Sequence, residues 1–303
     1  MNMIKNTPIA ISGLMLALFS IGSHFDNYLP NIKIVLGFFA FIILILLTLK
    51  VVLYPETTRD EFDNIIVAST SGTFSMALMM FSTYLLNINT TLSFVIWIIA
   101  VLLHISLIVY FTYKYILHNY KLENVYPSYW IVYIGISMAS ITGSTYMGKY
   151  NYIFFLFGFI LMFPTLMLVS YRYIKKAVTN DAFKPLICIY TAILSILIVA
   201  YLYSFNEANY NFLVIMYIFA TLFYILAFYK FIEYRNLDFY PSYSAYSFPF
   251  VISLIATYNM YKIFNTTLLE YLLIIESIIA VFCVFYVLYQ YLKNIYFKDF
   301  MQK

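Results

Sequence analysis

Runs of apolar residues, each ended by a few polar ones, follow one another along the whole chain. A helix that crosses a hydrocarbon core needs about 20 mostly apolar residues. Ten stretches approach or exceed that length: 8–23, 33–53, 65–86, 94–117, 129–147, 152–174, 185–204, 212–232, 242–260 and 268–292. The first reads as a span and not as a cleaved signal. Only Lys5 precedes it as a cation, and His24-Phe25-Asp26 follows where a small-residue cleavage site would stand.

Composition agrees with that pattern. Of the 303 residues, 64% are hydrophobic and 10% charged, with a mean hydropathy of +0.87. A soluble domain carries roughly 25% charged residues, and a globular core of this size cannot hide so much apolar surface. A water-soluble enzyme is excluded, and so is a disordered chain, which would be polar. The net charge of +4 comes from basic residues scattered singly, which argues against nucleic acid as a partner. Cys188 and Cys283 show neither metal-ligand nor redox spacing.

Charge also orients the chain. Cytoplasmic loops collect Lys and Arg. With ten spans, one side receives fourteen of the 17 basic residues, Lys298 and Lys303 among them, and the other only Lys33, Lys149 and Lys262. Both termini are therefore expected in the cytoplasm, with the protein in a bacterial inner (plasma) membrane.

A repeat organises the spans. Tyr126-Pro127-Ser128-Tyr129 recurs as Tyr240-Pro241-Ser242-Tyr243, 114 residues later, with Pro185 almost midway and Pro8 opening the first span. Units of about 57–60 residues are expected at about 8–54, 63–117, 127–174, 185–232 and 241–292. Each unit is one hairpin of two helices facing the same way. Five such units imply a single polytopic domain around a pseudo-fivefold axis along the membrane normal. The odd spans are rich in small and hydroxyl residues, whereas the even ones are bulky and apolar. Odd helices are therefore expected inside, around a water-filled or plugged conduit, and even helices outside. Span seven, with few hydroxyls, is the exception.

Three short motifs resemble one family. Pro127-Ser128-Tyr129-Trp130 with Tyr133-Ile134-Gly135-Ile136 and Thr142-Gly143 looks like its fifth-helix signature. Ala245-Tyr246-Ser247-Phe248-Pro249 looks like its ninth-helix pattern, and Pro8 through Gly13 fits its first helix. The chain thereby resembles the tellurite-resistance/dicarboxylate transporter family, which includes bacterial tellurite-resistance anion channels and plant slow anion channels. The resemblance implies a homotrimer whose protomers each hold a pore, and an aromatic gate at the position matching Phe248, beside Pro249. The missing proline of span three and the hydroxyl-poor span seven depart from the pattern.

Candidate lining residues are Gly13, Ser71, Phe74, Gly135, Thr142, Gly143, Thr191 and Ser247, with Phe19 a weaker aromatic candidate. Each has ordinary helix packing as its alternative. Glu276 and His104 lie inside even spans, where ionisable groups are costly and point to function by default. Both are candidates for proton-linked transport, and both have a buried hydrogen-bonded contact as the alternative. Glu270 is expected at the membrane interface. Odd spans have no Lys, Arg, Asp or Glu in their interior, so a fixed cation for a dicarboxylate is missing.

The expected function is a gated channel for small inorganic anions. The alternative is a carrier, either a proton-coupled C4-dicarboxylate (malate-like) transporter or a sulfite/tellurite-type oxyanion efflux protein. No catalytic constellation, cofactor motif or metal cluster is present in the sequence, so no enzyme, cofactor or metal is expected. The expected partners are small anions and the lipid bilayer.

Overall fold

The computed structural model describes residues 2–296. The C-terminus with Lys298 and Lys303, expected on the cytoplasmic side, lies outside the described residues. Among the described residues every regular element is helical. We name ten rods: α1 (Ile9–Phe25), α2 (Ile32–Leu53), α3 (Ile65–Leu85), α4 (Thr90–His118), α5 (129–147), α6 (Tyr152–Lys175), α7 (Asp181–Ser204), α8 (Tyr210–Tyr234), α9 (241–264) and α10 (Thr267–Ile295). Seven of these helices are by themselves long and apolar enough to cross a membrane. The other three are α1, which is shorter, and α5 and α9, which are interrupted. A short helix, Pro55–Glu61, follows α2.

The rods form two layers. α1 packs on α3, α3 on α5, α5 on α7, α7 on α9, and α9 returns to α1. This inner ring is closed, and α2, α4, α6, α8 and α10 lean against it from outside. Burial separates the layers: 56% of the α3 span and 72% of the α7 span are inside the protein, against 33% of α2 and 28% of each other outer helix. Phe38, Leu102, Ile160, Ile218 and Ile278, one from each outer helix, are exposed. Such an unbroken apolar belt is the surface a bilayer covers.

Hydroxyls and amides fasten the inner rods to one another. Ser69 donates to Ser128 across α3 and the approach to α5 at 2.7 Å. Tyr84 donates to the Phe19 carbonyl at 2.6 Å. The Asn151 amide bridges the Ser140 and Tyr203 carbonyls at 2.7 and 2.9 Å. Lys50, counted from the sequence as a loop cation, is buried at the end of α2. Its ammonium reaches Glu61 at 2.6 Å and the Thr7 carbonyl at 2.7 Å. The pair holds the Pro55–Glu61 helix against the start of α1.

Candidate functional site: an axial constriction

All five inner rods depart from α-helical geometry near their first third. α1 opens with the 3-10 turn Ile9–Ile11, and α3 breaks at Ser71. α5 changes to 3-10 over Gly135–Ser137, and α7 is 3-10 over Asp181–Ile189. α9 is 3-10 over Pro241–Tyr246 and restarts at Phe248. Serines serve three of these breaks. Ser12, Ser71 and Ser247 each donate to the carbonyl three residues earlier, at 2.8, 2.7 and 2.7 Å. Such back-bonding competes with the helical ladder and bends it. At α9 Pro249 adds its missing N–H and its ring, which cannot continue a helix from the preceding turn.

The breaks surround one small cavity of about 50 Å³, lined by residues from all five inner rods. Gly13, Gly135, Ala192 and Pro249 line it from α1, α5, α7 and α9, and α3 contributes Thr70, Thr73 and Met76. Phe248 lines it beside Pro249 and is buried. The wall is mostly apolar: Trp130, Ile134, Ile189, Ile193 and Ile196 outnumber Thr70, Thr73 and Ser244. Even the threonines spend their hydroxyl protons locally. Thr70 donates to the Ile66 carbonyl at 2.7 Å and Thr73 to the Thr70 carbonyl at 2.8 Å. An apolar space this small holds a few waters at most, and a dry wall does not attract them. The centre of the ring is closed here.

Gly135 shows how tightly the ring is drawn. A Cβ there would stand 2.8 Å from the Met76 sulfur and 3.1 Å from the His104 ring. A side chain there would have to displace the Met76 sulfur and would crowd the His104 ring.

Four of the ten gate and lining candidates, Gly13, Gly135, Phe248 and Pro249, border this cavity; the other six do not. Ser71 and Phe74 lie on the outward side of α3, in a lateral crevice. Thr142 accepts from the Trp97 indole at 3.0 Å, and Trp97 also covers Gly143. Both therefore serve the seam with α4. Thr191 is buried, but its neighbours Ala192 and Ile193 take the axial positions. Ser247 serves the α9 break, and Ser244 faces the cavity instead. Phe19 packs edge-on against Tyr84, with ring centroids 5.0 Å apart.

The two intramembrane ionisable groups both point inward from outer helices without reaching the cavity. Thr257 on α9 donates to Glu276 Oε1 at 2.9 Å, and Tyr217 on α8 lies 3.0 Å from the same threonine hydroxyl. The other carboxylate oxygen, Oε2, is buried without a hydrogen-bond partner. His104 on α4 reaches Ser75 on α3 through Nδ1 at 2.7 Å and the Val132 carbonyl on α5 through Nε2 at 3.1 Å. Glu270, expected at the interface, lies in the first turn of α10.

Beyond the end of α5 and in the last turn of α9, Lys149 and Lys262 sit over the rings of Tyr150 and Tyr258, at 5.2 and 5.5 Å from the centroids. A hydrogen bond from Lys114 holds the Asp63 carboxyl below its ordinary range. Lys176 does the same for Glu123. Cys188 and Cys283 are free and buried. Among the described residues no three His, Cys, Asp or Glu side chains gather as metal ligands.

Sequence reasoning missed Thr70, Thr73, Met76, Ala192, Ile193 and Ser244. A usable signal existed: Gly135, Ala192 and Pro249 follow one another at intervals of 57 residues.

Comparison with known proteins accords with this architecture. Residues 7–292 match the family model described as voltage-dependent anion channel. The chain is also 26% identical, over 283 residues and 82% of each chain, to an uncharacterized transporter of Methanocaldococcus jannaschii. A match over nearly the whole length, on a ring of helices buried in an apolar belt, means that this chain is a multi-pass membrane protein belonging to the tellurite-resistance/dicarboxylate transporter family of anion channels and transporters.

Proposed function

We propose that this protein is a gated channel for small inorganic anions such as chloride or nitrate, and not an enzyme. The cavity where five broken rods meet around Phe248 carries this reading. It is narrow, neutral and apolar, so an ion cannot pass while the ring stays in place. Displacement of that ring would expose a wall bearing Thr70, Thr73, Ser244 and the backbone of Gly13 and Gly135, with no fixed charge to trap an anion. A permeant ion must bind well enough to enter and weakly enough to leave.

The same reading takes ten crossings arranged as five two-helix repeats, about 8–54, 63–117, 127–174, 185–232 and 241–292. It also takes a bacterial inner membrane with both termini in the cytoplasm, supported by the uneven distribution of Lys and Arg, and a homotrimer, supported by family membership alone. One observation favours the carrier alternative, whether for malate-like dicarboxylates or for sulfite- or tellurite-type oxyanions. Glu276 keeps one carboxylate oxygen buried and unpaired, as a group that picks up and releases a proton would.

Planar bilayers containing the purified full chain test both. A channel passes voltage-driven anion current with no proton gradient, and Phe248→Ala raises that current. Unchanged current at equal protein incorporation removes Phe248 from the gate. Flux that disappears when the pH gradient is collapsed replaces the channel by the carrier.

A further inference from the structure

On the opposite side of α3 from the axis lies a lateral crevice of about 740 Å³, within the range of about 300–1,000 Å³ usual for ligand sites. It opens between α2 and α4. Leu47, Phe74 and Leu107 lie on its inner side, Val51 and Leu103 form its exposed flanks, and Lys50, Arg59, Asp63 and Lys114 also line it. Along α4 the lining runs from Leu103 to Lys114, a length of about 16 Å at about 1.5 Å per residue. That is close to half of a hydrocarbon core about 30 Å thick. The crevice is thus one leaflet deep, apolar inside and charged only where headgroups lie.

The charges at the rim are not all neutralised. Lys50 pairs with Glu61 at 2.6 Å and Lys114 with Asp63 at 2.5 Å. Arg59 is exposed and takes part in no ion pair among the described residues. We propose that this crevice holds one acyl chain of an anionic phospholipid from the same leaflet, with its phosphate on Arg59. Its chain would touch Ser71 and Phe74, which share α3 with Thr70 and Thr73 on the axial cavity. The lipid would therefore press on the back of the α3 break. This inference rests on the membrane-spanning orientation and not on anion conduction, so retained lipid without any current would leave it standing.

Native mass spectrometry of the full chain tests it, after extraction from vesicles of phosphatidylglycerol and phosphatidylcholine in equal amounts. Wild-type protein is expected to retain phosphatidylglycerol in preference. Arg59→Gln should reduce that preference about fivefold, the effect of one basic residue near an anionic surface. The Arg59 side chain makes no ion pair among the described residues, so this variant is expected to keep the fold. Ser106→Trp, which fills the crevice from its exposed wall, should abolish retention of both lipids, with an unchanged melting temperature verifying the fold. Equal retention of the two lipids by wild type, or a preference unaffected by Arg59→Gln, overturns the proposal. So does a disulfide between Val51→Cys chains in the membrane, which would make a second copy the occupant.

Discussion

His104 on the outer helix α4 holds the carbonyl of Val132 on the inner rod α5, at 3.1 Å from Nε2. Three residues after Val132 the rod turns from α to 3-10 geometry, which takes away that carbonyl's regular helical donor. The histidine satisfies from outside what the break leaves unsatisfied inside. An unpaired buried polar group costs about 1–3 kcal/mol. His104→Ala is therefore expected to lower the melting temperature in detergent by several degrees, and His104→Gln, which keeps a donor, by less. Equal melting of the alanine variant and wild type would mean that the break is stable without this strut.

The cavity wall leads to a second prediction. α7 supplies Ile189, Ile193 and Ile196 to it, an apolar flank that does not hold water. With Phe248 as the proposed gate, Ile193→Thr alone should change current little. Combined with Phe248→Ala it should raise single-channel anion conductance above that of Phe248→Ala, as wetting a gate does. Bilayer recordings of the three variants check this.

Trp97 covers Gly143 and donates to Thr142. A methyl at Gly143 meets the indole directly, and overpacking of this kind costs typically about 1–3 kcal/mol. Gly143→Ala should reduce folded yield and melting temperature while leaving the current per surviving molecule unchanged. A large change in unit conductance would instead place Gly143 in the permeation path.

Glu276 separates channel from carrier. Glu276→Gln keeps the acceptor that Thr257 uses at 2.9 Å and removes only the titratable proton. The channel reading expects unchanged voltage-driven current. A carrier would lose pH-driven uptake of a labelled dicarboxylate in vesicles.

At the membrane surface Asp63 is exposed and hydrogen-bonded to Lys114 at 2.5 Å, with its carboxyl held below the ordinary range. A carboxyl depressed in the folded state adds stability above its unfolded pKa and loses it as pH falls through the folded one. Asp63→Asn should therefore melt slightly lower than wild type near neutrality. The difference should close as the medium is acidified below the carboxylate range, and a melting series across pH follows it.

Much was legible in the sequence, and the reason is periodic chemistry. Apolar runs of membrane length set out the helices, because unpaired backbone groups are intolerable in hydrocarbon. The contrast between hydroxyl-rich and bulky runs separated inner from outer helices, since only an outer helix must present a wide apolar face to lipid. Phe248 and Pro249 were picked out as a pair by the resemblance of Ala245-Tyr246-Ser247-Phe248-Pro249 to the family's ninth-helix pattern. The rotation of the inner rods was not legible. α1, α7 and α9 are buried on nearly every side, so they carry no polar stripe from which a facing direction can be read. Serines and threonines of the inner rods return their protons to carbonyls three or four residues back, as Ser12, Ser195 and Ser247 do, and so give no facing direction. Tertiary packing alone decided that Thr70 and Thr73 face the axis while Ser71 and Phe74 face the lateral crevice. It also turned Glu276 and His104 inward from outer helices, because a buried charge or ring nitrogen must find a partner and only the inner rods offer one.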